Sequence, residues 1–164
     1  MHRRTAHARA RRHRCRPRKE DRAQVADLIG ARVEEVAFTA SGSEADLPAL
    51  RGVVPASGRP RAHVITQATE HPAVLETCRT LERLHGAKVT LLPVDRQGLP
   101  KPTALAAAFT DDTVLISVMA SNNETGALQP VAELATLAHG HGALFRCDAA
   151  QAAWAGGSSG AATA

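Results

Sequence analysis

From about residue 22 onward the chain alternates between two hydrophobic periods. "VEEVAFT" (33–39) reads as a short strand, and "ASGSEAD" after it combines the small residues of a tight turn with the acidic groups of a helix start. "AHVITQAT" (62–69) reads as a second strand. The stretch "PAVLETCRTLERLHG" opens with Pro72 and closes with Gly86, the punctuation of a helix. It places Val74, Cys78 and Leu81 on one face and Glu76, Arg79 and Arg83 elsewhere. The alternation continues through the strand "KVTLLPV", a helix near "PTALAAAFT", the apolar strand "TVLISVMA", a helix from Pro130 to about His139 and the strand "ALFRCDA". Apolar strands separated by helices of about ten residues predict a parallel sheet covered on both faces, an α/β class with doubly wound connections.

Composition refines this picture. A chain of 164 residues has the length of about one domain. With 44% hydrophobic residues but three Phe, one Trp and no Tyr, its core must be built from Ala, Leu and Val. The formal charge of +4 hides an asymmetry: the first twenty residues carry nine basic groups against one acid, and the other 144 carry eleven against fifteen. Residues 1–21 are therefore expected to be a basic, disordered leader and 154–164 an Ala/Gly/Ser tail, with the folded domain over 22–153. The Arg-rich start raises nucleic-acid binding, but it has no interleaved aromatics and no zinc-finger spacing, so a specific nucleic-acid role is disfavoured. Cys15, Cys78 and Cys147 form no CxxC pair, and an odd count without a signal peptide points to a reducing compartment. No apolar run is long enough to span a membrane, so the expected location is the cytoplasm.

In doubly wound sheets ligands bind outside the carboxyl ends of the strands, which makes the residues after each strand the candidates. Gly42 and Ser43 in "TASGSEAD" offer N–H groups and a hydroxyl at the positive end of a helix dipole, which suits a phosphate; the plain alternative is that Ser43 caps the helix. Pro48 complicates that helix, since proline is comfortable only in the first turn. His71, after Glu70 in "ATEHPAV", can stack on a ring or move a proton near neutral pH, or merely cap a helix. "SNNETG" (121–126) sets two Asn and a Glu at the end of a buried strand, a supply of fixed donors and acceptors or a plain Asx turn. Asp148, at the end of the last apolar strand, asks for a cationic partner. Arg146 is two residues back and shares its face only if the strand stays regular, so it is not expected to fill that role; a protonated pyridine nitrogen would. Gln151 reaches the same ligand if the chain turns there.

Residues from about 22 to 153 resemble the pyridoxal-phosphate-dependent cysteine desulfurases of the class V aminotransferase group. The stretches that carry the resemblance are "VAFTASGSEAD", "EHPAVLETCRTLE", "LLPVDRQG", "TVLISVMASNNETGALQPV" and "CDAAQA". The resemblance implies the three-layer α/β sandwich of the fold type I large domain, incomplete here, with a mostly parallel sheet. It implies pyridoxal 5′-phosphate as cofactor, L-cysteine as substrate, and a dimer with itself or with a full-length homologue. By the same resemblance Gly42 and Ser43 hold the cofactor phosphate, and the imidazole of His71 stacks on the pyridine ring and assists proton transfer. Asn123 lies near the phenolic oxygen and the substrate, Asp148 pairs with the pyridine nitrogen, and Gln151 hydrogen-bonds the phenolic oxygen. The implied activity moves sulfur from L-cysteine onto an enzyme cysteine, releases L-alanine and feeds iron–sulfur cluster or thio-cofactor assembly.

Two parts of that mechanism find no match. The family's Schiff-base lysine lies about two dozen residues beyond the Asp in a Ser-x-His-Lys stretch, whereas the lysines here are Lys19, Lys88 and Lys101. The sulfur-accepting cysteine belongs to the unmatched C-terminal half. Cys147 is not expected to replace it, because neighbours on a strand face opposite ways, and Cys78 reads as a packed helix residue. The chain as written is thus expected to be a truncated and inactive relative. The alternatives are a noncatalytic, fold-retaining partner of a full-length homologue, or nonspecific nucleic-acid binding by the Arg-rich start.

Overall fold

The computed structural model describes residues 19–152, and these divide between Phe38 and Thr39 into two compact units. The leader expected over 1–21 ends too late, since residues 19–21 are helical; residues 1–18, with the nucleic-acid reading attached to the Arg-rich start, and the Ala/Gly/Ser tail lie outside the described residues.

In the first unit α1 (Lys19–Ile29) carries Glu20 and Asp21 in its first turn, where carboxylates meet the positive end of the helix dipole. The strand expected over 33–39 is not formed. Val33–Glu35 is a single 3-10 turn, in which the Glu35 carboxylate accepts from the Arg32 amide at 2.8 Å and the Val36 amide donates to Val33 O. An acid that can satisfy backbone N–H groups locally competes with an extended strand.

The second unit begins with α2 (Gly42–Ala56). Its cap is Ser41, whose hydroxyl accepts from the Glu44 amide at 3.2 Å, while the Glu44 carboxylate reaches back to the Ala40 amide at 2.6 Å. Ser43 is therefore a first-turn residue and not the cap. Pro48 and Pro55 sit inside the helix without ending it. An interior proline costs about 3 kcal/mol, which burial of Leu50 and Val54 on the same helix offsets at about 1.5–3 kcal/mol each.

The sheet elements follow as β1 (His63–Gln67), α3 (Pro72–His85), β2 (Lys88–Leu92), α4 (Pro102–Ala108), β3 (Thr113–Met119), α5 (Val131–Gly140) and β4 (Leu144–Asp148). The order is β2-β1-β3-β4 with every pairing parallel. The chain steps outward from β1 to β2, crosses back to β3 and continues to β4, so the winding reverses between β1 and β3. Neighbours on a strand face opposite sides, and this splits the core in two. Val64 and Leu115 pack with Leu50, Val54, Val74, Cys78 and Leu81 from α2 and α3. Ile65, Ile116 and Val118 pack with Leu105, Leu134 and Ala138 from α4 and α5. At the amino end of the sheet His63 is fully buried, its two ring nitrogens each 2.8 Å from a hydroxyl, of Thr113 and Thr90. Burial pushes its pKa down, so the ring is neutral and structural.

Candidate functional site

The reversal of winding leaves a crevice position outside the carboxyl ends of β1 and β3, where open α/β sheets bind ligands. β1 runs on into Ala68, Thr69, Glu70 and His71, and β3 into Ala120, Ser121 and Asn122. Several polar atoms here are buried with no partner among the described residues: both amide atoms of Gln67, Thr69 Oγ1, Glu70 Oε2 and Gln129 Oε1. Buried polar groups are ordinarily paired, so this end of the sheet has unused hydrogen-bonding capacity.

Glu70 is 4% exposed, and its Oε1 accepts from the Met119 amide at 2.6 Å, tying the end of β1 to the end of β3. Desolvation by burial pushes its carboxyl up to about 7, against the pull of the Met119 amide and Arg146 and with the push of Asp148 and Asp46. His71, next in the chain, is the N-cap of α3, and its Nδ1 accepts from the Ala73 amide at 3.2 Å. Accepting there requires a lone pair on Nδ1, which puts the proton of the neutral ring on Nε2. The ring itself is exposed. Capping and site roles are thus not exclusive for this residue.

Asp148 ends β4 with its Oδ1 accepting from the Ala150 amide at 3.0 Å. The structure also corrects the expectation about Arg146. The strand stays regular, so residues 146 and 148 share a face, and Arg146 Nη2 lies 3.7 Å from Asp148 Oδ2. Its tighter partner is Asp46 of α2, and its Nη1 donates to Ser117 Oγ at 2.9 Å. Asp46 is 5% exposed; desolvation raises its pKa, while Arg146 and His71 lower it. One guanidinium therefore joins α2, β3 and the end of β4.

Gly42 and Ser43 form the first turn of α2 and are exposed, and a Cβ built on Gly42 would meet nothing within 4 Å. The two Asn residues divide their labour. Asn122 is buried, with Oδ1 accepting from the Glu124 and Thr125 amides at 2.9 and 3.0 Å and Nδ2 donating to Thr69 O at 3.1 Å. Asn123 is exposed beside it. Gln151 is exposed in the turn closed by the Ala152 amide on Ala149 O.

Asp46 and Arg146, and the clamp made by Glu70, were not singled out as site residues from the sequence. A buried acid in "SEAD" four residues before Leu50 was the available signal for Asp46; nothing local marks its pairing with Arg146. As to a pyridine cofactor, the arrangement fits its noncovalent contacts: a largely buried carboxylate at a strand end for the ring nitrogen, open space over a helix N-terminus for the phosphate, and an exposed imidazole between them in sequence. No described lysine stands at these strand ends, since Lys19 is in α1, Lys88 opens β2 and Lys101 precedes α4. Cys78 is buried, and desolvation pushes its thiol up to about 11. Cys147 is an exposed residue of the edge strand, yet desolvation of its thiol and the neighbouring Asp148 and Glu70 also push it up to about 11, against Arg146.

The same chain is 43% identical over 132 residues to the cysteine desulfurase IscS of Dictyoglomus turgidum and 44% identical over 131 residues to that of Methanosarcina thermophila. Those matches take in 80% of this chain but 33% and 32% of the relatives, so it spans about a third of the length of the curated proteins it matches. Its fold is similar to that of SspA in complex with cysteine, with a TM-score of 0.78 and 35% identity over 82% of this chain and 38% of that one. DndA from Streptomyces lividans is similar as well, with a TM-score of 0.76 and 36% identity over 82% of this chain and 37% of that one. The parallel α/β class expected from the hydrophobic pattern is the fold of these structures, of which this chain covers part. The family model described as aminotransferase class-V matches residues 1–156, and the chain belongs to that family.

Proposed function

We propose that the strand-end site binds pyridoxal 5′-phosphate without a covalent link, as the noncovalent part of a cysteine desulfurase site acting on L-cysteine. The observation that carries this reading is that Asp46, near the amino end of α2, lies with the Asp148 carboxylate around Arg146 and within reach of the His71 charge, beside the reversal of winding. The Gly42 and Ser43 amides and the Ser43 hydroxyl take the phosphate at the positive end of α2. Asp148 keeps a ring nitrogen protonated, and the group, when bound, supplies an electron sink for electrons released at an amino acid Cα. His71 would stack its imidazole on the ring, with its Nε2 proton at the ring edge for transfer, and Asn123 and Gln151 would serve the phenolic oxygen. With no lysine at these strand ends and both described thiols held protonated, the reading assigns these residues the binding of cofactor and substrate and leaves sulfur transfer outside it.

The edge of β4 supports a second element of this reading. Among the described residues β4 pairs with β3 alone, and Leu144 is 58% exposed. An open edge of a parallel sheet favours a covering partner, taken here as a second copy or a full-length homologue. No helix among the described residues is long and apolar enough to cross a membrane, and a cytoplasmic location is part of the proposal.

Titration with pyridoxine 5′-phosphate tests the site directly, because that compound has no aldehyde and cannot bond to a stray lysine. Saturable binding is expected, weakened about tenfold or more by Asp148→Ala, which is about 1.4 kcal/mol or more. Absence of saturable binding by the folded chain, or binding indifferent to Asp148, overturns the reading.

A further inference from the structure

Arg146 stands between two carboxylates. Its Nη2 is in contact with Asp46 Oδ1 and lies 3.7 Å from Asp148 Oδ2, beyond hydrogen-bond reach. The side chains of Arg146, Asp46 and Asp148 are 14%, 7% and 16% exposed, so solvent screens their charges weakly. Asp46 from α2 and Ser117 from β3 touch this guanidinium and Asp148 from β4 lies near it, Glu70 after β1 and Cys147 on the other face of β4 are close enough to feel its charge, and the His71 charge acts on Asp46. A guanidinium fork engages one carboxylate well, and the other is left with unsatisfied acceptor capacity. Here the fork is committed to Asp46 and Ser117, and Asp148 has one oxygen on the Ala150 amide and the other without a close donor among the described residues.

We propose that Asp46 is a positioning residue: by engaging Arg146 it leaves the carboxylate of Asp148 available to a protonated ring nitrogen. The proposal rests on the cofactor reading above. Without the Asp46 charge, the nearest ionised partner for Arg146 is Asp148, and the fork closes on it. An incoming ring nitrogen then meets a carboxylate that is already neutralised. Glu70 is the weaker competitor for the guanidinium, because its Oε1 is held by the Met119 amide, burial favours its protonated form, and it forms no ion pair with Arg146 among the described residues.

The measurement is the ratio of two affinities, for pyridoxine 5′-phosphate and for its analogue with carbon in place of the ring nitrogen. All other contacts being common to the pair, the ratio reads the ring-nitrogen contact alone. The wild-type chain is expected to prefer the nitrogen compound, and Asp46→Asn to reduce that preference about tenfold, or about 1.4 kcal/mol. Adding Arg146→Met to Asp46→Asn restores the preference, and Arg146→Met alone keeps it at or above the wild-type value, because no cation then competes for Asp148. A merely structural pair would show its coupling in the unfolding midpoints and leave the nitrogen-to-carbon preference unmoved in all three variants. An unchanged preference in Asp46→Asn, or no restoration in the double variant, overturns this role while the cofactor reading stands. Failure of the wild-type chain to bind either compound overturns both. Should Asp46→Asn lose its native circular dichroism, Arg146→Met decides, since a lost preference there contradicts the proposal.

Discussion

The Glu70 carboxylate accepts a 2.6 Å hydrogen bond from the Met119 amide, so a side chain joins the ends of β1 and β3. Its second oxygen is buried without a partner among the described residues, and burial pushes the carboxyl from 4.5 up to about 7. The folded state therefore holds this proton more tightly than the unfolded chain does. Stability is lost as pH rises from the unfolded value through about 7 and levels off above it, a loss of roughly 3 kcal/mol for a shift of this size. Asp46, also raised by desolvation, acts in the same direction. Glu70→Gln keeps an oxygen for the Met119 amide and removes the ionisation. Urea midpoints measured from about pH 5 to pH 8 should fall in the wild type and flatten in this variant. A parallel decline in both would sink the assignment.

Asn122 and Asn123 are neighbours with opposite expected phenotypes. Asn122→Ala strands the amides of Glu124 and Thr125 and frees the Thr69 carbonyl, which should cost about 2 kcal/mol or more. Asn123 is exposed and makes no such bonds among the described residues, so Asn123→Ala should stay within about 0.5 kcal/mol of wild type. Chemical denaturation separates the two, and hydrogen exchange should show early opening of residues 122–126 in the first variant only.

Ile116 is completely buried in the core on the α4 and α5 side of the central strand β3. Ile116→Val should cost about 0.5–1.5 kcal/mol and Ile116→Ala about 2–5 kcal/mol. Equal midpoints for the two would mean that the strand face repacks freely, which close-packed interiors do not allow.

Gly86 ends α3 in the left-handed conformation, with φ 64°. A Cβ added there would meet nothing within 4 Å, so the effect of Gly86→Ala isolates backbone strain. The variant should lose about 1 kcal/mol by thermal or urea unfolding. A stabilised variant would show that the C-cap is not left-handed.

The helices and strands of the sheet were legible because their signals are short-range. Pro72 and Gly86 bracket α3, and Val74, Cys78 and Leu81 form its buried face, as their spacing requires. The segment 33–39 misled for the same reason: its apolar residues suit a strand, but a strand needs a neighbour, and Glu35 could close a turn unaided. Pro48 misled in the other direction, because burial of Leu50 and Val54 outweighs a local rule.

By itself the sequence determined where β1, β3 and β4 end, and so that His71, Asn123 and Asp148 stand at or just beyond strand ends, through periodicity and capping that act over a few residues; Gly42 and Ser43 open a helix after a segment that forms no strand. Tertiary structure alone decided what meets these residues. The strand order β2-β1-β3-β4 brings Glu70 to Met119 across 49 positions and Arg146 to Asp46 across 100. Such pairs depend on how strands are ordered and which helix covers which face, and no local propensity encodes them.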